Sequence, residues 1–285
     1  MFKRALITLS LLALAACSPS AEKQEARGPA IQLYAIDCGR AAFNDIGMFA
    51  DDHSMDGQAR NLVVPCYLIR HPSGDLIWDT GLPDALADGA FNDPNMGATL
   101  SRTSKLVDSL AQLNLTPADI EFVSFSHAHA DHTGNGNLFA ASTWIVDADE
   151  RAYMLRPEAR ADASSFNNYN RLENARTQQI EGDGDYDVFG DGSVVIVQAP
   201  GHTPGHTILR VNLQNAGTVL LTGDMWHLSE SRQNRLVPTF NRDRAQTLAS
   251  MDKVEALATE TNALVIREHV QEDFDALPRF PEALN

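Results

Sequence analysis

The stretch that most constrains this chain is Ser126–Gly134, SHAHADHTG, which follows directly on the apolar run IEFVSFS at Ile120–Ser126. Three imidazoles and a carboxylate this close together at the end of a strand point to a cation-binding loop. In extended geometry His127, His129 and Asp131 project to one side, and His132 follows as the chain turns at Thr133–Gly134. Nitrogen and oxygen donors of this kind suit zinc, iron or manganese. The absence of thiolate points to an open catalytic centre over a closed Cys-rich structural one.

Three later motifs repeat the arrangement. PGHTPGH (Pro200–His206), LTGD (Leu221–Asp224) and IREH (Ile266–His269) each end a β-rich apolar run. Loops gathered at one edge of a rigid sheet commonly carry function. Further strands are predicted over Ile31–Cys38 and Trp144–Asp147. Asn61–Arg70 and Asp75–Trp78 read as a hairpin about His71–Gly74, which runs into Asp79-Thr80-Gly81. Helical spacing is seen in Ser104–Leu113 and Arg242–Glu260. The polar segment Arg151–Ile180 reads as an insertion or lid. Strands and helices interleave without an internal linker, so a single layered α/β domain is expected.

The order H-x-H-x-D-H, His, Asp, His resembles the metallo-β-lactamase superfamily, whose four-layer αββα sandwich lines such loops along one edge of two facing sheets. More closely, LYAIDCG, VPCYLIRHPSGDLIWDTGLPD, SHAHADHTGN, GHTPGH, TGDMWH and HVQEDFDALPRFP resemble, in that order, the N-acyl homoserine lactonase family across nearly the whole chain. That resemblance implies two divalent metal ions, zinc foremost. His127, His129 and His202 would hold one, Asp131, His132 and His269 the other, with Asp224 bridging. His206 is assigned to structural hydrogen bonding and Asp79 to orienting a ligand from behind. Three departures stand out. His227 occupies the position where many of these lactonases have a Tyr that assists the substrate carbonyl. Val270 follows the last His where an Asp is usual. Ala128 and Ala130 replace bulkier apolar residues.

The activity so implied is the opening of lactone rings, N-acyl homoserine lactones first, by attack of a metal-bridging hydroxide on the carbonyl, with Asp131, Asp224 and His227 as catalytic residues. β-Lactam, phosphotriester and thioester hydrolysis are the alternatives on the same fold, and a non-catalytic ligand- or metal-binding lipoprotein is the alternative of another class. No G-x-S-x-G elbow offers a serine nucleophile. Ile46–Ala50 and the Phe166 and Tyr169 region are candidates either for a hydrophobic mouth or for ordinary core. His53 and His71, in polar loops, read as solvated.

The N-terminus is a separate matter. Residues 1–16 (MFKRALITLSLLALAA) combine two cations with a short apolar stretch, as in a signal peptide. Leu14–Cys17 resembles the bacterial lipobox, which implies cleavage before a lipidated Cys17, a tether over residues 17–29 and a hydrolase domain over 30–285. The expected location is the periplasmic face of the outer membrane. The formal charge of −16 argues against nucleic acid as a partner. A small-molecule lactone or ester is the expected substrate, and the oligomeric state is left open. Cys38 and Cys66 lie in apolar runs and read as buried small hydrophobes, although one disulfide between them is conceivable in an oxidising compartment.

Overall fold

The structure is a computed structural model and describes residues 30–285. The expected signal segment, the expected lipidation site Cys17 and the expected tether lie outside these residues. In the first half of the chain come β1 (Gln32–Phe43), β2 (Arg60–His71), β3 (Gly74–Trp78), β4 (Phe91–Asp93), β5 (Ala98–Ser101), β6 (Phe122–Ser124), β7 (Thr143–Asp147) and β8 (Thr177–Ile180). They form one sheet in the order β4-β5-β1-β2-β3-β6-β7-β8. Helices α1 (Leu106–Gln112), α2 (Ala130–Thr133), α3 (Ala148–Met154), α4 (Pro157–Ala161) and α5 (Ala163–Phe166) connect its later strands. The second half supplies β9 (Tyr186–Asp187), β10 (Val194–Gln198), β11 (Thr207–Leu213), β12 (Gly217–Leu221) and β13 (Leu264–Ile266), ordered β13-β12-β11-β10-β9. With them are α6 (Ser229–Asn234), α7 (Arg244–Thr261) and α8 (Gln271–Asp275).

Alternation along each strand builds the layers. Tyr67, Ile69, Leu76 and Trp78 of the larger sheet meet Val194, Ile196, Leu209 and Leu221 of the smaller in one buried cluster between the sheets. The opposite faces are covered as well. Leu68, Ile77, Val123 and Trp144 pack under α1 and the segment around Met154 and Leu172. Val195, Val197, Ile208 and Leu220 pack under Met251, Val254 and Ala258 of α7. Burial on both faces explains why β2, β10 and β12 read as nearly continuous apolar runs. The expected αββα sandwich is what the chain adopts.

Three expectations need correction. Arg151–Ile180 is not a simple insertion, because it ends in β8, which pairs in parallel with β7 as an edge of the larger sheet, while Leu172 and Tyr169 enter the core. His71 is not solvated. Its side chain is 6% exposed, stacks on Phe189 at 4.0 Å and meets Asp191 at 3.0 Å. Cys38 and Cys66 are joined in a disulfide with their Cα atoms 5.7 Å apart. Both do lie in the buried core, but antiparallel pairing of β1 and β2 brings Ile36 opposite Cys66, and a register shift after Asp37 places Cys38 beside it. Neighbouring composition reports burial and says nothing of such proximity.

The disulfide sits under the functional edge. A Cβ at Gly81 would lie 2.2 Å from Cys38 Cβ, and Gly81, at φ +64°, accepts a hydrogen bond from Gly134 N at 2.9 Å. The strand-end turn after β3 therefore rests on the disulfide and supports the end of the histidine loop. Closing a loop of this length contributes about 2–4 kcal/mol. A Cys38→Ser/Cys66→Ser double variant is expected to lose that much in urea unfolding, and the difference from wild type should vanish in reductant. Equal stability without reductant would contradict this support.

Candidate metal centre

All four motifs open from strand ends on one edge of the sandwich. The histidine loop does not follow the extended geometry expected of it. β6 stops at Ser124, residues 126–128 bend, and α2 carries Asp131 and His132. A short helix, not strand alternation, turns Asp131 and His132 away from His127 and His129, which is how one loop serves two neighbouring sites.

Two donor groups result. His127 Nε2, His129 Nδ1 and His202 Nε2 converge, with His129 Nδ1 at 2.8 Å from His127 Nε2 and 3.2 Å from His202 Nε2. Asp224 Oδ2 stands 3.4 Å from both His127 Nε2 and His202 Nε2. On the other side Asp224 Oδ1 lies 3.1 Å from His132 Nε2 and 2.8 Å from His269 Nε2, and Asp131 Oδ2 lies 3.6 Å from His269 Nε2. One carboxylate thus presents each oxygen to a different group. His132 Nε2 and Asp224 Oδ1 are buried and, despite their approach, have no hydrogen-bond partner among the described residues. Buried polar atoms that crowd together without aligning as hydrogen bonds are aimed at a common third point. Two divalent cations fit that arrangement, and an all-N/O donor set suits zinc.

The electrostatics agree. Burial, reinforced by His132, holds the His127 imidazole well below its usual range. Burial likewise depresses His202, so both offer neutral lone pairs. His132 goes the other way. Burial opposes its charge, but Asp224, Asp131, Asp79 and Glu268 together push it well above the usual value. Asp224 is held well below the usual carboxylate range against its own burial, by His227, His132, His269 and His127.

The supports lie behind these atoms. Asp79, at φ +54°, accepts from Ser126 N at 2.7 Å and places Oδ2 3.2 Å from His132 Nδ1, while Thr80 Oγ1 donates to the His132 carbonyl. His206 lies 3.0 Å from the Ala199 carbonyl through Nδ1 and accepts from Asp224 N at 3.2 Å through Nε2. His269 Nδ1 donates to the Val63 carbonyl of β2 at 2.8 Å. His227 Nε2 lies 3.0 Å from Asp224 Oδ2, its ring between Phe49 and Phe240. His53 stays exposed, as expected.

Sequence reasoning missed two carboxyl groups. Glu150 of α3 is buried and accepts from Ala128 N at 2.7 Å and Gly205 N at 2.9 Å, tying the histidine loop to the His202 loop. Glu268 immediately precedes His269, is buried, and lies 3.6 Å from His132 Nδ1. Burial and the neighbouring Asp79 push its carboxyl well above the usual range. Its place beside the last His was a visible signal, whereas Glu150 reads in sequence as an ordinary helix-surface acid.

Above the centre is an apolar chamber of about 280 Å³ lined by Phe43, Met48, Phe49, Met96 and Phe240, with His129, Asp131, Asp224, His227 and His269 at its base. Met48 and Phe49 of the Ile46–Ala50 stretch belong to this mouth. Tyr169 is core, and Phe166 packs on it instead.

A two-cation edge on an αββα sandwich defines a class of metal-dependent hydrolases, and the comparisons agree. Residues 59–269 match the family model described as the metallo-beta-lactamase superfamily, and the chain belongs to it. Within that superfamily it is 30% identical over 266 residues to the N-acyl homoserine lactonase AttM of Azorhizobium caulinodans, covering 89% of this chain and 97% of that one. It is 27% identical over 258 residues to the N-acyl homoserine lactonase AiiA of Bacillus thuringiensis subsp. kurstaki, covering 88% and 98%. Among solved structures, an N-acyl homoserine lactone hydrolase with the product N-hexanoyl-L-homoserine bound at its catalytic metal centre superposes with a TM-score of 0.72 at 25% identity, over 90% of this chain and 99% of that one.

Glu150 provides a test of the loop ties. Burial raises it to about 7 from the ordinary 4.5. A carboxyl raised on folding binds more protons in the native state, so its stabilisation is full below the unfolded pKa and declines as pH rises from there through the folded value. Glu150→Gln removes this titration and one acceptor. The variant is expected to be about 1–3 kcal/mol less stable at about pH 5. Its thermal midpoint should also fall less steeply than that of wild type toward about pH 8. Parallel pH curves for the two proteins would rule out the linkage.

Proposed function

We propose that this protein is a dinuclear metal-dependent hydrolase that opens lactone rings, N-acyl homoserine lactones foremost. The observation that carries the reading is Asp224, a buried carboxylate with one oxygen facing His127 and His202 and the other facing His132 and His269. In this reading His127, His129 and His202 would hold one zinc ion and Asp131, His132 and His269 the other, with Asp224 available to both. Bound there, the pair supplies Lewis acidity toward the ester carbonyl and lowers the pKa of water toward ~7.

The chain's own residues do the rest. The apolar chamber holds the acyl chain and keeps bulk water from the reacting ester. Asp131, the more exposed of the two site carboxylates at 32%, is placed to take a proton from the attacking water and return it to the ring oxygen. The water oxygen bonds to the carbonyl carbon, the ring C–O bond breaks, and a hydroxy acid is released. His227 Nε2 stands 3.0 Å from Asp224 Oδ2 and its ring forms part of the chamber wall, so it flanks the shared carboxylate on the substrate side.

Zinc-loaded protein is expected to open acyl homoserine lactones faster than β-lactams, phosphotriesters or glutathione thioesters. Chelation should abolish this, and Asp224→Asn or His129→Ala should lower kcat/KM at least about 100-fold. A loaded protein that opens no lactone would overturn the reading.

The same proposal places the enzyme on the periplasmic face of the outer membrane, through cleavage before Cys17 and its lipidation, with residues 17–29 as a tether. The Cys38–Cys66 disulfide supports an oxidising compartment. Labelled palmitate is expected to enter the wild-type chain in the native host, and Cys17→Ala to shift it to the soluble fraction. Unchanged membrane association of that variant would refute the anchor.

A further inference from the structure

The turn that follows β3 is packed in three layers. Cys38 and Cys66, both fully buried, form the lowest. Gly81 lies directly on them: a side chain there would begin 3.0 Å from Cys66 Sγ, and the next residue, Leu82, donates its N–H to the Cys38 carbonyl at 3.2 Å. Gly134 forms the top layer, where a Cβ would meet the Gly81 carbonyl and the Pro83 nitrogen.

What the middle layer carries belongs mainly to one cation group. Thr80 donates to the His132 carbonyl through N at 2.7 Å and through Oγ1 at 3.0 Å, and Asp79 Oδ2 stands 3.2 Å from His132 Nδ1. Asn135 Nδ2, past the end of the histidine loop, donates to the Thr80 and Leu82 carbonyls. The first group has anchors of its own. Asp79 Oδ1 accepts from Ser126 N, but Ser126 O also accepts from Thr207 N of β11 at 2.9 Å, and Glu150 of α3 holds Ala128 N and Gly205 N. The loops that carry His127, His129 and His202 are therefore fixed from β11 and α3 as well, whereas His132 is fixed from the turn on the disulfide.

Two thiol sulfurs repel to van der Waals distance where bonded sulfurs do not, so a reduced pair needs more room. Gly81, lacking a side chain, borders the space beside Cys66 Sγ, and a close-packed core has little other slack. Reduction therefore pushes on Gly81 and, through it, on Asp79 and Thr80.

We propose that the Cys38–Cys66 disulfide is a latch on the second cation group: only the oxidised chain holds Asp131, His132 and His269 together, so the centre takes its second ion in an oxidising compartment. Setting the latch is a thiol–disulfide exchange. Each cysteine gives up a proton as the S–S bond forms, and a disulfide donor of that compartment is reduced to two thiols. Because both sulfurs are buried in the folded chain, the exchange occurs as the chain folds and is not readily reversed. The inference rests on the two-cation reading of the site and is independent of the substrate.

The test measures zinc affinity by competition with a chelating dye on the full chain, folded either in oxidant or under nitrogen in a reductant that is then removed. His202→Ala leaves only the second group complete, and His269→Ala only the first. Reduction is expected to weaken zinc binding about 10–100-fold in His202→Ala, the range for losing a support behind a ligand, and to leave His269→Ala unchanged. Zinc retained by reduced His269→Ala also shows that the reduced chain has folded. In both backgrounds Cys38→Ser/Cys66→Ser should match the reduced chain under either condition. Equal weakening in the two backgrounds reports a loosened fold and overturns the latch, as does a zinc affinity that ignores the redox state. Fewer than two zinc ions on the oxidised wild type overturns the two-cation reading, and the latch with it.

Discussion

The carboxylate of Asp224 is the constraint on which the remainder of the structure depends. It is 3% exposed, and imidazoles of His127, His132, His202, His227 and His269 approach its two oxygens between 2.8 and 3.4 Å. An ionised carboxylate taken out of water is costly unless charge and hydrogen bonds compensate it closely. Here the imidazoles whose charge offsets that cost belong to separate loops, from the histidine loop after β6 to the turn after β13. The sheets must hold those loop bases in register for the carboxylate to be tolerated at all, so the geometry of the sandwich and the charge of the centre are one problem.

That register is secured largely by acceptors behind the ligating atoms. Asp79 and Thr80 anchor the two ends of the histidine loop, Glu150 clamps it to the His202 loop through two backbone amides, and His206 holds the backbone of Asp224. Because each support grips main chain or the far ring nitrogen, the metal-facing atoms stay available. The same division separates the mouth from the base. Phe49 and Phe240 pack around His227 at the entrance, while polar supports occupy the interior of the edge.

Most of the fold and of the candidate site was legible in the sequence. Apolar runs with both faces buried gave β2, β3, β7, β10 and β12, and strand-end motifs brought His127 to His132, His202, Asp224 and His269 together as expected. β11 carries alternating polar residues such as Arg210 and Asn212 on its less buried positions and left a weaker trace. β4, β5 and β9 are too short for any periodicity. Glu150 was invisible for a different reason: its acceptors face amides of residues 128 and 205, and no local pattern encodes a hydrogen bond across such a gap.

Residue identity and order alone determined which atoms are available to bind a cation and which strands are buried on both faces. Only the tertiary structure decided that α2 splits one loop between two groups, that Cys38 pairs with Cys66 and that Glu268 stands behind His132. Patterns in sequence report periodicity and composition, which are local. Proximity between distant segments is set by how the two sheets pack, and the site's supports and walls are made of that proximity.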